Sequence, residues 1–262
     1  VEEEPVKEKR FVQIGSNPEK AVQGDYSLDV HAILKEGWAL TQKNKQSILS
    51  GLSFIFLMGV IITLVASEYM GGLEEIMQNN QKQVSINLLV TALLWPFIAG
   101  VEMMGISHAV GIKTRTGFVF AFLKRSAYTA ITALIIASIT SLGFYLILPG
   151  IYLAVALSLT IPLIVEKQMS PMAAIILSLK ATRFGWLKLM QIYSVFMLLL
   201  ILSLLPGFVG VPAIISMFVF LVALFFLAPF YYNVKGILYR EIFGVQMQVI
   251  DNKGDQDMFF SA

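Results

Sequence analysis

The chain has 262 residues, 57% of them hydrophobic and only 14% charged, with a net charge of +2 and a mean hydropathy of +0.76. A water-soluble fold cannot hide that much apolar surface, because much of its exterior must stay wet. The small net charge gives no sign of a nucleic-acid partner, and the absence of cysteine excludes disulfides, thiol catalysis and cysteine metal sites.

In chain order, Val1 to Gln23 is acidic and polar and lacks the charged-then-apolar pattern of a signal peptide. Residues 1–26 read as a flexible cytoplasmic arm. Ser27 to Gln42 is amphipathic, with Val30, Ile33, Leu34 and Trp38 on one face. Ser47 to Ser67 is the first apolar run of about 20 residues, the length a spanning helix needs, and is expected to serve as an uncleaved insertion signal. A second runs from Ile86 to Val110, interrupted by Pro96 and carrying Glu102 and His108. Ala127 to Val165 is too long for one crossing and is divided by Pro149-Gly150; Leu187 to Tyr232 is divided likewise around Pro206-Gly207. The expected fold is therefore an all-α membrane domain of six transmembrane helices over residues 27–244, followed by a polar tail, residues 245–262. The fourth span, Ile151 to Val165, reaches only about 22 Å at roughly 1.5 Å per residue. Either it continues through Gln168, or the bilayer thins around it, or the segment is re-entrant.

Lys and Arg near the span ends set the orientation. Lys35, Lys43 and Lys45 precede the first span, and Lys113, Arg115, Lys124 and Arg125 follow the second. Lys167, Lys180 and Arg183 follow the fourth, and Lys235 and Arg240 the sixth. The opposite side has Lys82 beside Glu68, Glu74 and Glu75. Both chain ends are expected in the cytoplasm.

The spans form three hairpins, each preceded by an amphipathic stretch: Ser27 to Gln42, Gly117 to Arg125 and Ser170 to Phe184. All three stretches hold a Leu-Lys pair (Leu34-Lys35, Leu123-Lys124, Leu179-Lys180), and each hairpin's second span holds a proline (Pro96, Pro162, Pro229). That ordered pattern suggests a threefold repeat. The stretches are expected to lie flat at the cytoplasmic interface, with Lys and Arg reaching for anionic headgroups; the plainer reading is connectors with topology-setting charges.

From Leu146 to Met190 the chain reads LILPGIYLAVALSLTIPLIVEKQMSPMAAIILSLKATRFGWLKLM. It resembles the bacterial YciC-like membrane proteins and the related membrane domain of some glycerophosphodiester phosphodiesterases. The resemblance rests on Leu148-Pro149-Gly150, Pro162, Glu166-Lys167, Ser170-Pro171, Ser178 and Trp186, and covers roughly half the chain. It implies a six-helix bacterial inner-membrane protein and carries over no catalytic residue.

Glu102 is the leading candidate for chemistry, because a carboxylate in hydrocarbon must be protonated, paired or hydrated. It is read either as an ion, proton or solute contact or as a hydrogen bond to a neighbouring helix. His108 reads as a headgroup or backbone contact, with no second ligand at metal spacing. Glu166, Lys180 and Arg183 either line a cytoplasmic pocket or are solvated, and Lys124, Lys180 and Arg183 are candidate phosphate contacts. Phe230-Tyr231-Tyr232 suits an interfacial belt, and Ala133, Ala137 and Ser141 a close-packing stripe. No HExxH, GxSxG or P-loop is present, so no enzyme and no cofactor are expected. The leading expectation is a non-enzymatic protein that binds lipid or a membrane partner; the rival is a small-solute transporter or channel using Glu102.

Overall fold

The computed structural model describes residues 9–252 and 255–260, with side chains described for residues 12–248. Strand β1 (Lys9–Ile14) and the short helix α1 (Pro18–Gln23) lead into the long helix α2 (Val30–Tyr69). The turn α3 (Leu73–Gln78) and helix α4 (Asn80–Ala109) follow, and then two 3-10 turns, Thr116–Phe120 and Leu123–Arg125. Helices α5 (Ser126–Phe144), α6 (Leu148–Ala156), α7 (Thr160–Glu166), α8 (Pro171–Phe208) and α9 (Ala213–Phe243) complete the helical body. Strands β2 (Val245–Asn252) and β3 (Asp255–Phe260) end it.

Six of these segments are long and apolar enough to cross a membrane: α2, α4, the segment Thr116–Phe144, the joined α6 and α7, α8 and α9. The six expected spans are present, and the fold is all-α apart from the terminal strands. The leading amphipathic stretches, however, are not separate flat helices. The first and third are the opening turns of α2 and α8, which run unbroken for 40 and 38 residues. At about 1.5 Å per residue these helices measure roughly 60 Å, twice the hydrocarbon thickness of about 30 Å. In α2, capped where Asp29 accepts from the amide of Ala32 at 3.0 Å, no glycine or proline falls between the amphipathic and apolar parts, and α8 runs on through Gly185. Ser170 stands at the N-cap of α8 without a side-chain cap bond, and Pro171 takes the first helical position. The second stretch is wound as the two 3-10 turns.

The helices pack unevenly along their length. At the end where β1 pairs with β2, residues 99–109 of α4, 160–166 of α7 and 233–239 of α9 are buried. The other halves of α2, α4, α8 and α9 present apolar side chains outward, among them Phe56, Leu64, Leu88, Leu198, Ile201 and Phe218. Tight packing at one end comes from close backbone approach. A Cβ at Gly105 would sit 2.1 Å from the Tyr232 carbonyl, and one at Gly236 would sit 2.2 Å from that of Gly105.

The fourth span is a broken helix. Pro162 has no N–H for the Ser158 carbonyl and its ring crowds that group, so α6 ends at Ala156 and α7 restarts at Thr160. The Ala156 carbonyl, left by its own helix, accepts the Ser178 hydroxyl of α8 at 2.6 Å. Pro96 and Pro229, by contrast, lie inside continuous helices.

Residues expected as loose ends form a sheet. β1, β2 and β3 pair antiparallel in that order, Lys9 opposite Ile250 and Met247 opposite Phe260. Val245 and Met247 alternate inward and are buried, while Gln246 is exposed. Gly244, at φ 63, makes the turn from α9 into β2 with the Ser16 carbonyl where a Cβ would stand, so no side chain fits. Ala21 of α1 is likewise buried.

Candidate functional site

The buried end of the bundle holds an unusual density of polar side chains, joined in three groups. In the first, Lys235 of α9 donates to Glu102 Oε1 of α4 at 2.5 Å, with Glu102 only 3% exposed. The second carboxylate oxygen, Oε2, is buried without a partner among the described residues. Lys235 was expected in a loop after the sixth span; it lies inside α9, because that helix runs on to Phe243. Glu102 is thus packed between helices and paired, so an isolated charge in hydrocarbon is avoided.

In the second group, His108 Nδ1 hydrogen-bonds Asn233 Oδ1 at 2.8 Å, and Nε2 bonds the Thr114 hydroxyl at 2.8 Å. Asn233 Nδ2 donates onward to Thr41 at 3.0 Å. These bonds tie α2, α4 and α9 together, and they replace the headgroup contact expected of His108, which is buried. In the third group, Glu166 of α7 accepts from the Tyr239 hydroxyl (2.8 Å), from the Gln246 amide of β2 (2.8 Å) and from Lys167 (3.2 Å). Glu166 is buried and holds the sheet to the bundle rather than lining a pocket. Close by, Arg240 forks onto both oxygens of Glu36 (2.7 and 3.0 Å) and caps the Ala109 carbonyl at 2.6 Å.

Other expected residues fall elsewhere. Lys124, Lys180 and Arg183 are exposed and make no ion pair among the described residues. Arg183 lies over the Phe184 ring at 4.5 Å. Phe230 is core, tilted against Phe196 and edge-on to Trp38, so the aromatic belt reading fails there. Of the small-residue stripe only Ala133 is buried; the close approach in that hairpin is Gly143 against Gly150. Among the described residues no group of three potential metal ligands converges.

Beside α8 the loop over residues 24–28 closes a groove of about 310 Å³, lined in part by Tyr26, Arg183, Trp186 and Lys188. Tyr26 donates its hydroxyl to the Ala181 carbonyl at 2.7 Å, and burial pushes its phenol pKa up, which keeps it a neutral donor. Sequence reasoning missed Lys235, Asn233 and Tyr239 as partners. The signal was present: all three follow the apolar run of α9 directly, Lys235 and Tyr239 four residues apart, with no proline before Gly244.

No family model, no curated protein and no solved structure matches this chain. The fold and the six apolar segments define a polytopic helical membrane protein.

Proposed function

We propose that this protein is a non-enzymatic, multi-pass protein of a bacterial inner membrane, with both ends in the cytoplasm, whose basic face engages anionic lipid headgroups. The observation that carries the reading is the division of labour among the charges. Glu102, Lys235, Glu166 and Arg240 are consumed in ties between elements, while Lys124, Lys180, Arg183 and Lys188 stay exposed at the same end. Each such cation near an anionic surface contributes about 1 kcal/mol of attraction. Kinship with the YciC-like proteins belongs to the same proposal and rests on the residues quoted for it. Reconstitution into nanodiscs of mixed phosphatidylglycerol and phosphatidylcholine tests the reading. The chain should enrich phosphatidylglycerol around itself, and reversal of Lys124, Lys180 and Arg183 to Glu should abolish the enrichment. Equal enrichment by the reversed variant would contradict it.

A second reading, a solute pathway through Glu102, draws on the broken span and on the unpartnered Glu102 Oε2. Discontinuous helices form transporter sites. The pairing of Glu102 with Lys235 favours the lipid reading. Flux into proteoliposomes that Glu102→Gln abolishes would reverse that preference.

A further inference from the structure

We propose that the groove between residues 24–28 and the α8 segment 183–188 seats the phosphate of one anionic phospholipid; this deepens the lipid reading above and rests on it.

The groove is built rather than incidental. Gly24 and Gly185 let the loop and the helix touch: a Cβ at Gly185 would meet the Tyr26 hydroxyl at 2.9 Å, and one at Gly24 would meet the Phe184 ring at 2.7 Å. With the Tyr26 hydroxyl bonded to the Ala181 carbonyl, the loop is fixed at a set distance from α8. The volume, about 310 Å³, stands at the lower end of small-ligand sites. It suits a headgroup better than a whole lipid.

Its lining is one-sided chemically. Arg183 and Lys188 are both cationic and exposed, and among the described residues no acidic side chain lines the groove. A ligand there must bring acceptor oxygens and negative charge. Arg and Lys are the donors that phosphate takes.

Position along α8 selects the source of that phosphate. Lys188 is the last charged residue of the helix; from Leu189 to Phe208 none follows. Phe184 and Leu187 are exposed beside the cations, at 51% and 68%. Acyl chains can therefore run along the apolar surface of α8 while the headgroup stays in the groove. The same boundary falls on α2, where Lys45 lies 5.0 Å from the Phe226 ring and no charge follows before Glu68. A membrane lipid, not a soluble phosphate, meets both conditions.

The test uses the full chain in nanodiscs of equal phosphatidylglycerol and phosphatidylcholine, released into detergent and weighed by native mass spectrometry. One phosphatidylglycerol should remain bound to the unmodified chain. Arg183→Ala with Lys188→Ala should lower its occupancy at least tenfold, Arg183→Lys with Lys188→Arg should restore it, and Lys124→Ala with Lys180→Ala should leave it intact. An excess of free glycerol phosphate should not displace it. Retention in the Arg183/Lys188 variant overturns the groove; if the Lys124/Lys180 variant then loses lipid, the basic-face reading survives without it. Displacement by glycerol phosphate overturns the lipid as occupant. No preference for phosphatidylglycerol by the unmodified chain overturns both readings.

Discussion

Removing the ammonium of Lys235 leaves the Glu102 carboxylate buried with neither oxygen paired, so Lys235→Ala is expected to destabilise the bundle by about 3–5 kcal/mol. Glu102→Gln combined with Lys235→Met removes both charges and should recover most of that loss, as read by thermal unfolding in detergent. A double variant no better than the single one would mean that the damage lies in packing and not in the orphaned charge. Tyr26 makes a different prediction. Its pKa is raised above 10.0 by burial, so the unfolded phenol ionises first. The contribution of Tyr26 is therefore complete below a pH of about 10 and is lost as pH rises through the folded value. Trp186 fluorescence, in a chain with Trp38→Phe and Trp95→Phe, should step above that pH and lose the step in Tyr26→Phe. An unchanged step in Tyr26→Phe would assign it to another group.

At the scale of elements, the break between α6 and α7 depends on a neighbour. Ser178→Ala with Thr182→Val takes both hydroxyl donors from the Ala156 carbonyl and should cost about 1–3 kcal/mol, the penalty for a buried acceptor left bare. A loss within the error of unfolding would show that the break is satisfied without α8. The sheet depends on Glu166 in a similar way. Glu166→Ala removes the acceptor of the Gln246 amide, whose hydrogen exchange should quicken by about ten- to a hundredfold; an unchanged rate would mean that strand pairing alone holds β2. The spans were legible because long uncharged runs are a local signal, but the turns were not at the Pro-Gly pairs: Pro149-Gly150 opens α6 and Pro206-Gly207 closes α8, with the chain turning just before the first and just after the second. The sequence concealed what decides the site, because Glu102 meets Lys235 only through the contact of α4 with α9 at Gly105 and Gly236. The strand at Val245 to Val249 was readable as alternation (VQMQV), yet its partner β1 lies more than two hundred residues upstream. The amphipathic stretches were misread as flat because their apolar faces serve equally well against lipid and against other helices.

For the whole molecule, the two kinds of surface define one axis. Buried polar ties and exposed cations gather at the end where β1 pairs with β2, and apolar side chains face outward over the rest. That arrangement suits hydrocarbon around the splayed halves and water or headgroups around the packed end. An even number of crossings and the pairing of the terminal strands agree in placing both termini on one side.

Because the chain has no cysteine, single cysteines report side without background. Membrane-impermeant labelling of Lys113→Cys, Lys180→Cys and Glu74→Cys, in intact cells and in inverted vesicles, reads the topology directly. The first two should react only from the cytoplasmic face and the third only from the other. Reaction of Lys113→Cys and Lys180→Cys from opposite faces would contradict six crossings with a single basic side.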